Sequence, residues 1–128
     1  MIELIAIAVG GAFGAVARFS LEQWLGQSLG TEFPWGILLI NVSGSLAIGI
    51  LFVLLVEHGH LSSTYRSALM VGFLGAFTTF STFSLQTLAL IETGRFLEAL
   101  TYVLASVVLS LGAVAIGVFI TRQLTGEV

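Results

Sequence analysis

Residues 72–86 read GFLGAFTTFSTFSLQ, and the reading of this stretch decides the fold. Phe77, Phe80 and Phe83 recur every three residues, with Thr78, Thr79, Ser81, Thr82 and Ser84 in the gaps. In one continuous α-helix that order spreads hydroxyls around the whole circumference. Such a helix is tolerated at membrane depth only where protein or a water-lined path surrounds it. Gly72 and Gly75 lack Cβ atoms and ease a local break. A break frees carbonyl and N–H groups, which discontinuous helices use to build ion sites. The plain alternative is a Phe-rich packing helix whose Ser and Thr bond back to the carbonyl one turn earlier.

Composition supplies the membrane. The 128 residues are 57% hydrophobic and 9% charged, against about 25% charged in a soluble domain. An integral membrane protein in contact with the lipid bilayer follows. Gly is abundant, at 15 residues, and suits close helix packing. With no Cys, disulfides and thiolate chemistry are excluded. The net charge of -3 rests on few groups and implies no nucleic-acid partner. The first residues, MIELIAIAVGGAFGAVARF, lack the early Lys or Arg of a signal peptide. They are expected to stay as the first membrane helix.

Four stretches reach the ~20 apolar residues that a span requires, at 4–25, 36–56, 67–91 and 97–120. The expectation is an all-α protein, one four-helix membrane domain over 1–128, with the third helix broken near its middle. Lys is absent, and the four Arg divide evenly between the two sides of the membrane. Orientation follows such counts, so this chain offers almost no bias. It is either a low-charge protein or a dual-topology one that pairs antiparallel. Gly10 with Gly14, Gly11 with Ala15, and Ala113 with Gly117 are four apart, the spacing for close backbone approach. They serve packing within one subunit or between two.

Polar groups at membrane depth are costly and therefore candidates for function. Asn41, Ser45 and Gly49 share a face of the second helix, and Tyr102, Ser106 and Ser110 share one of the fourth. Glu3, Glu57 and Glu92 sit near span ends, and no carboxylate is expected deep in a span, as proton coupling requires. The lining that can be assembled donates: amide N–H, hydroxyl O–H and the positive edges of aromatic rings. It modestly favours a small dehydrated anion over a cation. Arg18 lies ~21 Å along its helix from Leu4, within snorkelling reach of the far interface. An anchor or a partner to another helix is its expected role. His58 and His60, in EHGH, read as a solvated turn rather than a metal site. A multidrug exporter would need a carboxylate deep in the first span. An enzyme would need a nucleophile with its base, and a purely structural protein leaves the Asn41 and Ser45 face without use.

GGAFGAVARF, NVSGSLAIG and GFLGAFTTFSTF, in the first three spans, together resemble the Fluc (CrcB) fluoride channel family. The likeness covers essentially the whole chain. It implies a multi-pass protein of the inner (plasma) membrane, not an enzyme, that exports fluoride passively and confers fluoride resistance. It also implies an antiparallel dual-topology homodimer with two pores. Phe80 and Phe83 would contact fluoride by their ring edges, each pore taking the two rings from different subunits. Asn41 would line the pore, and Ser81, Thr82, Ser106, Ser110 and Tyr102 would form a polar track. The Gly75 and Thr78 carbonyls of both subunits would hold a structural Na+.

Overall fold

The computed structural model describes residues 1–59 and 61–126, so His60 of the EHGH turn lies outside the described residues. Those residues form four helices long and apolar enough to cross a membrane. They are α1 (Ile2–Leu29), α2 (Trp35–Glu57), a third crossing at Ser63–Glu92, and a last helix at Phe96–Thr125. Each extends past the expected span, α2 by one residue at either end and the others by up to five. The third crossing is helical over residues 63–77 (α3) and again over Phe80–Glu92 (α4), which makes the last helix α5. Gly30 and Gly94, at φ 83° and 76°, turn the chain after α1 and α4, a conformation open mainly to glycine.

The helices pack as two close pairs, α1 against α3 and α2 against α5. Lipid is as apolar as Leu, so the pairs close through van der Waals contact between small residues rather than by a hydrophobic drive. A Cβ on Gly14 would overlap the Phe73 carbonyl, and one on Gly10 would overlap that of Ala68. Across the other pair, a Cβ on Gly117 would stand 2.6 Å from the Leu46 oxygen. The small-residue pairs are thus used within the chain. The buried apolar cluster gathers Ile37, Leu38 and Ile40 of α2 with Phe83 and Leu90 of α4 and Ala99 and Tyr102 of α5. Apolar side chains such as Val16, Val71, Leu104 and Ile116 stay exposed on the outside of the single chain.

Two of the crossings widen locally. Residues Phe52–Glu57 and Ser67–Leu74 wind in π-type turns, and His58 N–H donates to Val53 O at 3.1 Å. Wider turns shift the register of the residues that follow; in α3 they lead directly into the change of path at residues 78–79. At the helix ends, Arg122 pairs with Glu57 and Arg95 with Glu98. The Glu98 hydrogen bond raises the Arg95 pKa, although exposed pairs of this kind add little stability.

Thr78 (φ −80°, ψ 155°) and Thr79 (φ −151°, ψ 125°) are extended, and helix resumes at Phe80. Such a segment costs several kcal/mol for each backbone group left unpaired in lipid, so its partners decide whether it can exist. Asn41 meets Thr79 twice: its Nδ2 donates to Thr79 O at 2.9 Å, and its Oδ1 accepts from Thr79 N–H at 2.8 Å. The Thr79 hydroxyl caps α4 by accepting from Thr82 N–H at 3.2 Å. Thr78 N–H and its hydroxyl both return to Leu74 O at 3.0 Å. Arg18 Nε reaches across from α1 to the Ala76 carbonyl at 3.1 Å. Gly44 provides the room, since a Cβ there would overlap the Thr78 methyl.

Two substitutions test this packing and pairing. Gly14→Val forces the α1 and α3 backbones apart and is expected to cost about 1–3 kcal/mol. Gly112→Ala, with nothing within 4 Å of the new Cβ, serves as the neutral control; equal melting of the two in detergent would refute the close crossing. Asn41→Leu strands the Thr79 N–H, whose acceptor is Asn41 Oδ1. Helix–helix hydrogen bonds in membranes average about 0.6 kcal/mol, but here the partner is backbone without a helical alternative. The loss is therefore expected at about 1–3 kcal/mol, read as a lower melting temperature than for Leu39→Ala, whose side chain is partly exposed.

Candidate ion site at the extended segment of the third crossing

A cavity of about 460 Å³ opens beside residues 78–79. Asn41, Ser45, Thr79, Phe80, Ser106 and Ser110 contribute to its wall, with Gly75, Thr78 and Phe83. Three helices converge there because the extended residues turn α4 away from the α3 axis and Gly44 lets them press onto α2. No charged side chain lines it among the described residues.

The Phe80 and Phe83 rings lie 5.2 Å apart, tilted by 52°. They differ sharply in cover: Phe80 is 77% exposed and Phe83 only 7%. Across from them, Ser106 is 7% exposed and its Oγ has no hydrogen-bond partner. A buried hydroxyl in a helix ordinarily bonds back to its own helix, as that of Thr121 does to Gly117 O at 2.7 Å. Ser106 keeps its donor free at the cavity wall, and a stranded buried hydroxyl costs about 1–3 kcal/mol unless something occupies the site.

The structure brings together Asn41, Phe80, Phe83, Ser106 and Ser110, with Gly75 and Thr78, around this one cavity. Ser81, Thr82 and Tyr102 lie off its wall. Ser81 Oγ and Thr82 Oγ1 engage the Thr79 hydroxyl at 3.1 and 3.2 Å, so they serve the cap of α4. Tyr102 is fully buried, and its hydroxyl donates to Gln86 Oε1 at 2.8 Å. Its ring packs at 5.1 Å on Phe83, which is itself on the wall. The Asn41 amide is also not a free lining group: its oxygen and one N–H are held by Thr79, which leaves its second N–H. Elsewhere in the segment the back-bonded alternative holds, with Ser84 Oγ donating to Phe80 O at 2.9 Å.

Sequence reading passed over several participants. Thr79 carries an N-cap pattern, a Thr three residues before Thr82 at a helix start, that spacing alone could have shown. Gln86 sits at the end of the opening stretch, and Glu22, in the last third of α1, joins Glu3, Glu57 and Glu92 as a carboxylate towards the end of a crossing. Gln86 Nε2 donates to Glu22 Oε1 at 3.2 Å. Of the carbonyls at the extended segment, those of Gly75, Phe77 and Thr78 have no partner among the described residues. Hard oxygen donors of this kind suit a small cation.

The family model described as CrcB-like protein, Camphor Resistance (CrcB), matches residues 5–118. A protein of Hahella chejuensis named fluoride-specific ion channel FluC is 47% identical over 120 residues, 94% of each chain. The protein of that name from Saccharophagus degradans is 44% identical over 125 residues, covering 97% of this chain and 92% of its own. The one from Methylococcus capsulatus is 53% identical over 128 residues; the match takes in 99% of this chain but 56% of that relative, so the chain spans about half its length. With these matches running nearly end to end, the chain belongs to the CrcB-like family.

Proposed function

We propose that this protein is a fluoride-specific ion channel of the bacterial plasma membrane, a passive pore rather than an enzyme. The names of its relatives point there, and one observation at the site carries the reading. A buried hydroxyl, Ser106 Oγ, without a partner among the described residues, faces the same cavity as the Phe80 and Phe83 rings, and no charged side chain of those residues lines its wall. Fluoride is small and strongly hydrated, so a pore must replace its water with close donors. Ser106, Ser110 and the second Asn41 N–H supply them, and ring edges add a weak electropositive contact. Neutral donors admit the ion and release it, as conduction requires. The start of α4 faces the same region, and a helix N-terminus favours an anion.

The pore is taken to form between two copies of this chain, antiparallel and of dual topology, with two pores per dimer. The support is steric. Phe80 is 77% exposed beside a cavity open on one flank, and a ring and hydroxyls facing lipid call for a protein cover. Phe80 and Phe83 then meet fluoride from different subunits. The Gly75 and Thr78 carbonyls, without partners among the described residues, are assigned to a structural Na+ shared by the two copies. Bound there, the ion would neutralise carbonyl dipoles that lipid leaves unsolvated.

Reconstituted liposomes test both assignments. Fluoride efflux without a proton gradient is expected from the purified protein, with chloride retained; silence to both ions would refute the channel. Phe80→Ile and Phe83→Ile are expected to lower fluoride flux about three- to tenfold, the range for losing one ring contact, with unchanged elution on size exclusion. Protein purified and reconstituted with N-methylglucamine in place of Na+ is expected to lose flux and regain it when Na+ is restored. Equal flux in the two media would remove the cation from the reading.

A further inference from the structure

Away from the ion cavity, a chain of contacts links three helices. A second cavity of about 460 Å³ is lined in part by Glu22, Gln27, Thr31, Phe33, Gly36 and Gln86. Glu22 of α1 stands at its wall. Gly36 lets α2 close over it, since a Cβ there would lie 3.3 Å from Glu22 Cγ. From Glu22 Oε1 the contacts run to Gln86 Nε2 at 3.2 Å, then from Gln86 Oε1 to the Tyr102 hydroxyl at 2.8 Å. They continue from the Tyr102 ring to that of Phe83 at 5.1 Å, and on to Phe80 at 5.2 Å.

Each link dictates the next. Carboxylate oxygens accept, so Glu22 draws the NH₂ end of the Gln86 amide towards α1. The amide oxygen then points to α5, and the single proton of the Tyr102 hydroxyl has one acceptor. Tyr102 is fully buried between Phe33, at 5.6 Å and nearly edge-on, and Phe83. Its ring is one of the walls against which Phe83 rests. Without Glu22 the amide loses its orienting partner and can turn over. A hydroxyl facing an NH₂ group would then have to surrender its own donor or swing away, and the ring would follow.

We infer that Glu22 is a positioning residue of the fluoride path: acting through Gln86 and Tyr102, it holds the Phe83 ring at the ion cavity from the far side of the helix bundle. This rests on the channel reading, and flux from the unmodified protein is the check on that reading alone.

The test is fluoride efflux from liposomes, with assembly followed by size exclusion. Glu22→Ala is expected to lower flux about fivefold, the effect of one oriented hydrogen bond. Adding Gln86→Glu to Glu22→Ala is expected to bring flux back, because a carboxylate at 86 again gives the Tyr102 proton a single acceptor without any partner on α1. A general packing role for Glu22 gives no such rescue. Tyr102→Phe keeps the ring but removes the last hydrogen bond, and is expected to fall about as far as Glu22→Ala; it carries the test if the alanine variant does not assemble. Wild-type flux in Tyr102→Phe or in an assembled Glu22→Ala, or a double variant no faster than Glu22→Ala, would overturn the inference.

Discussion

The double hydrogen bond between Asn41 and Thr79 is the interaction on which the rest of this structure depends. A chain in lipid may leave the helix only where each freed backbone group finds another partner. The Thr79 N–H loses its helical partner while the Thr79 carbonyl already starts the hydrogen bonding of α4, and one amide side chain meets both groups with the correct polarity. No hydroxyl could span both groups in this way, and a carboxylate would lack the donor. The neighbouring groups are served by different means, with Arg18 on the Ala76 carbonyl and the Thr79 hydroxyl on the first turn of α4. Remove these supports, and the two half-helices have no reason to remain apart.

Close packing makes that pairing possible. Arg18 reaches Ala76 because Gly10 and Gly14 let α1 lie against α3, and Asn41 reaches Thr79 because Gly44 accepts the Thr78 methyl. Each contact is small in energy. Their effect is geometric: they bring polar groups from α1, α2 and α5 to within hydrogen-bonding distance of a crossing that could not satisfy itself. The glycines thus act on the site at one remove, by fixing how near the helices come.

Much of this was legible in the sequence, and the rest fails for an identifiable reason. The four crossings follow from apolar length, and the odd composition of residues 72–86 marked the place where the backbone leaves helical geometry. Spacing on one helix predicts a shared face for Asn41 and another for Ser106 and Ser110, while Phe80 and Phe83 follow from the family resemblance; all five line one cavity. Tyr102 shows the limit of that logic. It lies one turn from Ser106, but Ser106 lines the cavity while Tyr102 packs on Phe83 away from its wall. Spacing is equally silent on the hydroxyls of Ser81 and Thr82, which engage Thr79. Partners 58 and 64 residues apart, Arg18 with Ala76 and Glu22 with Gln86, leave no periodic trace at all. Only tertiary contact identifies them.

The placement of charge bears on how an anion would cross. Arg18 is the one cation well inside a crossing, and a guanidinium on the pathway would hold fluoride too tightly for it to leave. Its Nε is engaged by a backbone carbonyl, and Arg18 is absent from the cavity wall. Glu22 is likewise set apart, on the second cavity, with an amide and a phenol between it and the rings. Both charges therefore act on the site through groups that they orient, while the ion would meet neutral donors alone. A lining of that kind selects by how closely the donors can approach. That criterion favours an ion as small as fluoride over one the size of chloride, because only the smaller ion lets ring edges and hydroxyls come near enough to replace its water.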